Sequence, residues 1–255
     1  MQKVVVVTGV GRSGTSAMAQ ALHTLGVQMM GADCKHRHEV YNADGYWEDP
    51  AMNELCVMLH QRCSKVKTGD EPVCPRCGHN RGIQTKARPG PVWAWECNAC
   101  GTVFDGPAGE ASLRVRTPRA NWRPFREYVE GQRALPVWGV KDPRFVFWLP
   151  WLLYELKQEP REVYVIKMVR PEAEQIRSWE FCGAGTAEDV RGQREWLEKT
   201  TEGLQNIRVV DFRVLRKEAA RVLEGLAKWI GLPVEAGILV AAAKTVKPEL
   251  VHFKE

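Results

Sequence analysis

The N-terminal stretch constrains this chain more than any other. An apolar, β-branched run from Lys3 to Thr8 leads directly into Gly9-Val10-Gly11-Arg12-Ser13-Gly14-Thr15-Ser16. Ala17, Met18, Ala21, Leu22 and Leu25 then recur at helical spacing and stop at Gly26. A strand opening through glycines into a helix is a cradle for phosphate: the backbone amides close on an anion, and the helix N-terminus adds its positive end. Nucleotide-hydrolysing loops of this shape read G-x-x-x-x-G-K-[ST]. Here Thr15 holds the lysine position, and the cation comes earlier, as Arg12. The loop is built for phosphate but lacks the usual grip on Mg-ATP.

At 255 residues the chain can hold one α/β core plus an insert. It contains no apolar run near the roughly 20 residues that span a bilayer, so no membrane association is expected. The strand begins by Lys3, with no basic leader and no small-residue cleavage site, which leads us to expect a cytoplasmic protein. The net charge of +5 is unevenly spread. From Arg62 to Arg133 there are thirteen Lys or Arg against seven Asp or Glu, so the basic character belongs to the middle of the chain.

That middle segment has its own organisation. Cys74-Pro75-Arg76-Cys77-Gly78 and Cys97-Asn98-Ala99-Cys100-Gly101 form two C-x2-C knuckles, at a separation suited to a four-thiolate zinc site. Four thiolates close the coordination shell, so Zn²⁺ held by Cys74, Cys77, Cys97 and Cys100 would be structural. Disulfides, the other use of such cysteines, are disfavoured in a reducing compartment. Trp93-Ala94-Trp95 and Thr102-Val103-Phe104 read as short paired strands. The expectation is a zinc ribbon over residues 64–118, inserted into a core formed by 1–63 and 119–255. Arg76, Arg81, Lys86 and Arg88 beside Trp93 and Trp95 suit nucleic acid or an acidic partner, and equally a solvated basic surface.

After the insert, strands again alternate with helices. Pro136 to Val140 and Glu162 to Val169 read as strands, as does Ile207 to Phe212. The apolar Phe145 to Leu156 reads as helical after Pro150, a helix begins at Pro171, and another runs from about Arg216 to Ile230. The fold class expected is α/β: a P-loop-like, doubly wound parallel sheet flanked by helices, with the small zinc-ribbon insert. Ligands of such sheets sit at the carboxyl ends of the strands. Arg12, Lys141 and Arg170 each follow a strand, and three cations on one edge imply an anionic ligand.

Arg12-Ser13-Gly14-Thr15-Ser16 resembles the 5′-phosphosulfate loop of sulfotransferases, which use 3′-phosphoadenosine-5′-phosphosulfate (PAPS) as donor. Arg170 followed by Ser178 is similar to that family's 3′-phosphate site, and Val209-Val210-Asp211-Phe212 with Leu223 to Leu232 looks like its closing strand and helix. The resemblance implies a sulfuryl transfer from PAPS to an unidentified hydroxyl or amine acceptor, releasing adenosine 3′,5′-bisphosphate. Gly11, Arg12, Ser13, Gly14, Thr15, Ser16, Arg170 and Ser178 would hold the donor. Lys141 stands where cytosolic members have a lysine shortly before their histidine base, but Pro143 fills the histidine's place, and Ala17 replaces an adenine-stacking aromatic. Tyr46-Trp47-Glu48-Asp49-Pro50 resembles a segment of bacterial and phage sulfotransferase-like proteins, which makes Glu48 the expected base, with Arg12 and Lys141 stabilising the leaving phosphate. His36 and His38 are alternative bases, Glu48 and Asp49 could simply open a helix, and Asp142 could serve as an ion-pair partner. Two other functions remain open: a kinase or NTPase using Mg-ATP with Asp211 as its acid, and a zinc-ribbon adaptor for nucleic acid.

Overall fold

The structure, a computed structural model, describes residues 1–30, 47–49, 51–52, 83–86, 94–97, 103–105 and 123–246. The chain divides into two compact units, Met1–Asn53 with Gln132–Glu255, and Glu54–Gly131. The expected insert limits, 64 and 118, fall inside the second.

The larger unit is built on a five-stranded parallel sheet: β1 (Gln2–Thr8), β2 (Gln28–Met29), β6 (Val137–Lys141), β7 (Arg161–Val169) and β8 (Ile207–Asp211), in the order β2-β6-β1-β7-β8. β1 lies at the centre because Val4, Val5, Val6 and Val7 are apolar on both faces, and all four are fully buried. Val5 and Val7 join one apolar cluster with helices α1 (Thr15–Thr24), α7 (Ala219–Ile230) and α8 (Ala236–Thr245). Val4 and Val6 point to the opposite face, where α3 (Phe145–Leu156) meets β7 and α5 (Ala187–Thr201). Helices therefore cover both faces, as the sequence leads one to expect for a doubly wound sheet.

α1 stops where the sequence indicates. Gly26 adopts φ 98°, Val27 N–H donates to the Leu22 carbonyl and Gly26 N–H to that of His23, the pairing that closes a helix through a left-handed glycine. Two expectations shift. α3 begins at Phe145, ahead of Pro150, because Val146, Leu149, Leu152, Leu153 and Leu156 are buried along it, which offsets the one hydrogen bond that a proline forgoes. The helix expected from Arg216 is two, α6 (Phe212–Lys217) and α7, broken at Glu218 with φ −134° and ψ 39°. α5 was not anticipated, although Thr186 and Asp189 form a capping box at its start.

In the second unit β3 (Ile83–Lys86), β4 (Ala94–Cys97) and β5 (Val103–Asp105) form an antiparallel sheet in that order, followed by α2 (Arg123–Gly131). Ala94 to Glu96 pair with Val103 to Asp105, so the two strands read on either side of the second knuckle are hydrogen-bonded neighbours. Cys97 ends β4; Cys74, Cys77 and Cys100 lie outside the described residues.

Candidate anion-binding site

Parallel pairing brings the carboxyl ends of β1, β6, β7 and β8 to one edge of the sheet, and the glycine loop leaves β1 in its middle. Two glycines shape the loop. A Cβ on Gly11 would come within 2.7 Å of the Trp179 ring. Gly14, the N-cap of α1, has φ 90°, and the Phe212 ring occupies the space its side chain would need. Arg12, between them, has φ 68°. Among the described residues the only other non-glycine with positive φ is Trp47, at 54°, immediately before Glu48. Strained backbone of this kind persists where surrounding contacts enforce it, and it concentrates at functional sites. Ser13 is 1% exposed and its hydroxyl makes no hydrogen bond among the described residues; the same is true of the buried Thr8 hydroxyl at the end of β1. A buried polar atom left in this way is costly unless something else fills its valence.

Three guanidinium groups gather beside the loop. Arg12 Nε donates to the Ser178 hydroxyl at 3.1 Å, from the loop to a buried position on α4 (Glu172–Phe181). Arg170, just past β7, is only 5% exposed. Its Nη1 reaches the Arg12 carbonyl at 3.4 Å, its Nε donates to Glu174 Oε2 at 2.9 Å, and its guanidinium lies 5.6 Å from the centre of the Phe212 ring. Arg213, at the start of α6, donates from Nε to Glu174 Oε1 at 2.6 Å. Burial acts to raise the Glu174 carboxyl, but hydrogen bonds from Arg170 and Arg213 outweigh it and hold the group below its ordinary value. One carboxylate thus orients two arginines.

A second cluster lies on the β6 side of the same edge. Lys141, the last residue of β6, is the Cα partner of Val7 on β1. It is 2% exposed, and its Nζ donates to Glu48 Oε1 at 2.9 Å. Asp142, fully buried, accepts from the backbone N–H and the Nε of Arg144, each at 2.8 Å, and from Nη2 as well. Burial pushes the Asp142 carboxyl up and the nearby Glu48 adds to this, while the Arg144 hydrogen bond opposes it. Arg144 Nη2 stands 4.0 Å from Glu48 Oε2. Asp49 accepts from the Met52 N–H at 2.9 Å, so Asp49 and not Glu48 makes that capping contact.

Of the residues singled out in the sequence, Gly11 to Ser16, Arg170 and Ser178 surround one spot, and Glu48 and Lys141 form an ion pair at the next strand end. Ser178 meets Arg12, while the Arg170 fork is directed to Glu174 and the Arg12 carbonyl. Asp211, the acid that Mg-ATP chemistry would use, accepts from the Arg213 N–H and caps α6. His36 and His38 lie outside the described residues. Among the described residues no group of three or more His, Cys, Asp or Glu could hold a metal ion, and no helix is long and apolar enough to cross a membrane. The sequence reading missed Glu174, Gln175, Trp179 and Arg213. Only Glu174 left a signal, as the acidic partner four residues after Arg170 on a helix.

No protein-family model and no curated protein matches the chain. Among the solved structures similar to it are sulfotransferases. The sulfotransferase domain from the curacin biosynthetic pathway shares 13% identity at TM-score 0.44, covering 100% of this chain and 81% of that one. The sulfotransferase domain from the Synechococcus PCC 7002 olefin synthase shares 13% at TM-score 0.49, covering 98% and 87%. Sulfotransferase STF1 from Mycobacterium tuberculosis H37Rv shares 15% at TM-score 0.48, covering 97% and 72%.

Proposed function

We propose that the protein is a sulfotransferase that takes PAPS as donor and passes its sulfuryl group to a hydroxyl or amine acceptor. The observation that carries this reading is the meeting of Arg12 with Ser178 at 3.1 Å, with Arg170 beside the Arg12 carbonyl. The cation of a lysine-free phosphate loop and the two residues resembling a 3′-phosphate site stand together, next to a buried Ser13 hydroxyl that makes no hydrogen bond among the described residues. Two anionic groups on one ligand would satisfy them. Gly11 to Ser16 hold the 5′-phosphosulfate, and Arg170 with Ser178 holds the 3′-phosphate.

In the reaction the acceptor oxygen or nitrogen attacks sulfur, and the bond from sulfur to the bridging phosphate oxygen breaks. Glu48 takes the acceptor's proton, and adenosine 3′,5′-bisphosphate leaves. Charge grows on the bridging oxygen, where Arg12 and Lys141 stabilise it; positioning and electrostatics supply most of the catalysis. Lys141, buried against Glu48, keeps that carboxylate oriented while bearing positive charge toward the strand ends. In the second unit we assign one structural Zn²⁺ to Cys74, Cys77, Cys97 and Cys100, a donor set that suits tetrahedral zinc, and residues 64–118 to the ribbon it staples.

Calorimetric titration with adenosine 3′,5′-bisphosphate, adenosine 5′-phosphosulfate and ATP with Mg²⁺ tests the reading. The bisphosphate should bind tightest, with no need for metal. Arg170→Ala should weaken it at least about tenfold, more than it weakens the 5′-phosphosulfate, because a charge-assisted fork to the 3′-phosphate is lost. Equal losses for both ligands would remove the 3′-phosphate assignment, and preference for Mg-ATP would overturn the function.

A further inference from the structure

Side chains from helix α4 and the end of β7 hold the carbonyl side of the loop. Gln175, 1% exposed on α4, donates from Nε2 to the Val10 carbonyl at 3.1 Å and to the Gly11 carbonyl at 3.0 Å. A side-chain amide has two N–H donors, so both carbonyls are served at once. Its Oε1 accepts from Arg194 Nη1 at 2.9 Å, which fixes the amide's orientation, since only the oxygen can face a guanidinium. The same Arg194 nitrogen donates to the Arg170 carbonyl at 2.8 Å. The next carbonyl of the loop, that of Arg12, is reached by Arg170 Nη1 at 3.4 Å. Three successive loop carbonyls, from Val10 to Arg12, are therefore drawn toward α4 and the end of β7.

A planar trans peptide points its N–H opposite to its C=O, and no peptide of the described chain is cis. With the carbonyls of Val10, Gly11 and Arg12 turned back, the amides of Gly11, Arg12 and Ser13 face the other way, into the cradle. Successive amides aimed at one point make an anion-binding concavity. Arg12, with its strained φ of 68°, lies within this run.

We infer that Gln175, oriented by Arg194, is a positioning residue for the donor: it presets the loop amides for the 5′-phosphosulfate before any ligand arrives. Arg194 links this latch to Arg170, so one helix-borne network sets the amide cradle and the strand end that carries the second phosphate site. The inference rests on the proposed function only in naming the nucleotide as occupant.

Gln175→Glu is the informative substitution. The carboxylate keeps the side chain's size and strengthens its pairing with Arg194, but it donates nothing and sets negative charge against two carbonyls. Binding of inorganic pyrophosphate, adenosine 3′,5′-bisphosphate and adenosine 3′-monophosphate is measured on the full chain, with a thermal melt alongside. The expected result is a loss of at least about tenfold for pyrophosphate and the bisphosphate, with the 3′-monophosphate, which does not use the loop, nearly unchanged. Arg194→Met, which keeps much of the stem but donates to neither acceptor, should give a smaller loss in the same direction and covers the case of a poorly folded Gln175→Glu. Equal weakening of all three ligands, or none, would overturn the latch, as would a wild-type protein that fails to bind pyrophosphate. Wild-type binding of pyrophosphate but not of the bisphosphate, still lost in Gln175→Glu, would support the latch while removing PAPS as donor.

Discussion

Gly14→Ala isolates how far the loop depends on its glycine, and Gly26→Ala supplies the control. Both glycines lie in left-handed backbone, at φ 90° and 98°. A Cβ on Gly26 would meet nothing within 4 Å, whereas one on Gly14 would lie under 3.0 Å from three atoms of the Phe212 ring. The backbone cost of a left-handed alanine is about 1–2 kcal/mol, and the stiffer unfolded chain returns about 0.4–1 kcal/mol. Gly26→Ala should therefore cost no more than roughly 1.5 kcal/mol. Gly14→Ala adds overpacking against a ring that the Arg170 and Arg216 guanidiniums also approach, typically about 1–3 kcal/mol, for a total of roughly 1–4.5 kcal/mol. Urea unfolding followed by fluorescence measures both midpoints on the same chain. Combining Gly14→Ala with Phe212→Ala should recover at least about 1 kcal/mol relative to the sum of the single changes, because the residues are in contact. If Gly14→Ala costs no more than Gly26→Ala, the Phe212 ring does not define the loop's back wall and the close approach is not what requires glycine there.

Glu48→Gln should leave bisphosphate affinity nearly unchanged while lowering turnover by about 10²–10⁴-fold, since the amide keeps its shape and still accepts from Lys141 but cannot take a proton; a panel of phenols and sugars supplies the acceptor for the assay, and retained turnover would exclude Glu48 as base. Glu174 is held below the ordinary glutamate value by Arg170 and Arg213, so its contribution to stability is complete above that value and declines as pH falls through the folded-state value. Melting temperatures of the wild type should then fall more steeply between about pH 5 and pH 3 than those of Glu174→Gln, and parallel curves would show that the triad adds nothing. Metal analysis of protein purified without chelator should find one zinc per chain, reduced by Cys97→Ser; absence of zinc in the wild type would remove the ribbon assignment.

Those predictions draw on two kinds of information, only one of which is local in sequence. β1, the loop and α1 were legible because a β-branched run, four glycines and a helical apolar stripe follow one another within 26 residues. The strand ends bearing Lys141 and Arg170 were legible because each cation directly follows an apolar run. The start of α3 was not, since Pro150 speaks locally against a helix that burial of its leucines nevertheless stabilises. The division of α6 from α7 at Glu218 also escaped, as nothing in the local composition marks a break there.

The residues behind the loop escaped for a more general reason. Trp179, Gln175 and Phe212 act on Gly11, Val10 and Gly14 from far along the chain, the Gln175 to Val10 bond spanning 165 positions. A glutamine, a tryptophan and a phenylalanine on helices have ordinary core or surface uses, and no spacing rule links them to a turn so distant. The sheet supplies the link: β1 and β7 are adjacent and parallel, so whatever follows β7 must arrive beside whatever follows β1. Once that pairing is known, the start of α4 is the natural place to look for groups that orient the loop, and Arg170, Glu174, Gln175 and Ser178 all fall within its first turns or just before them. The loop sequence therefore specifies what an anion would touch. How firmly those groups are aimed is set by α4, through hydrogen bonds that only the pairing of β1 with β7 makes possible.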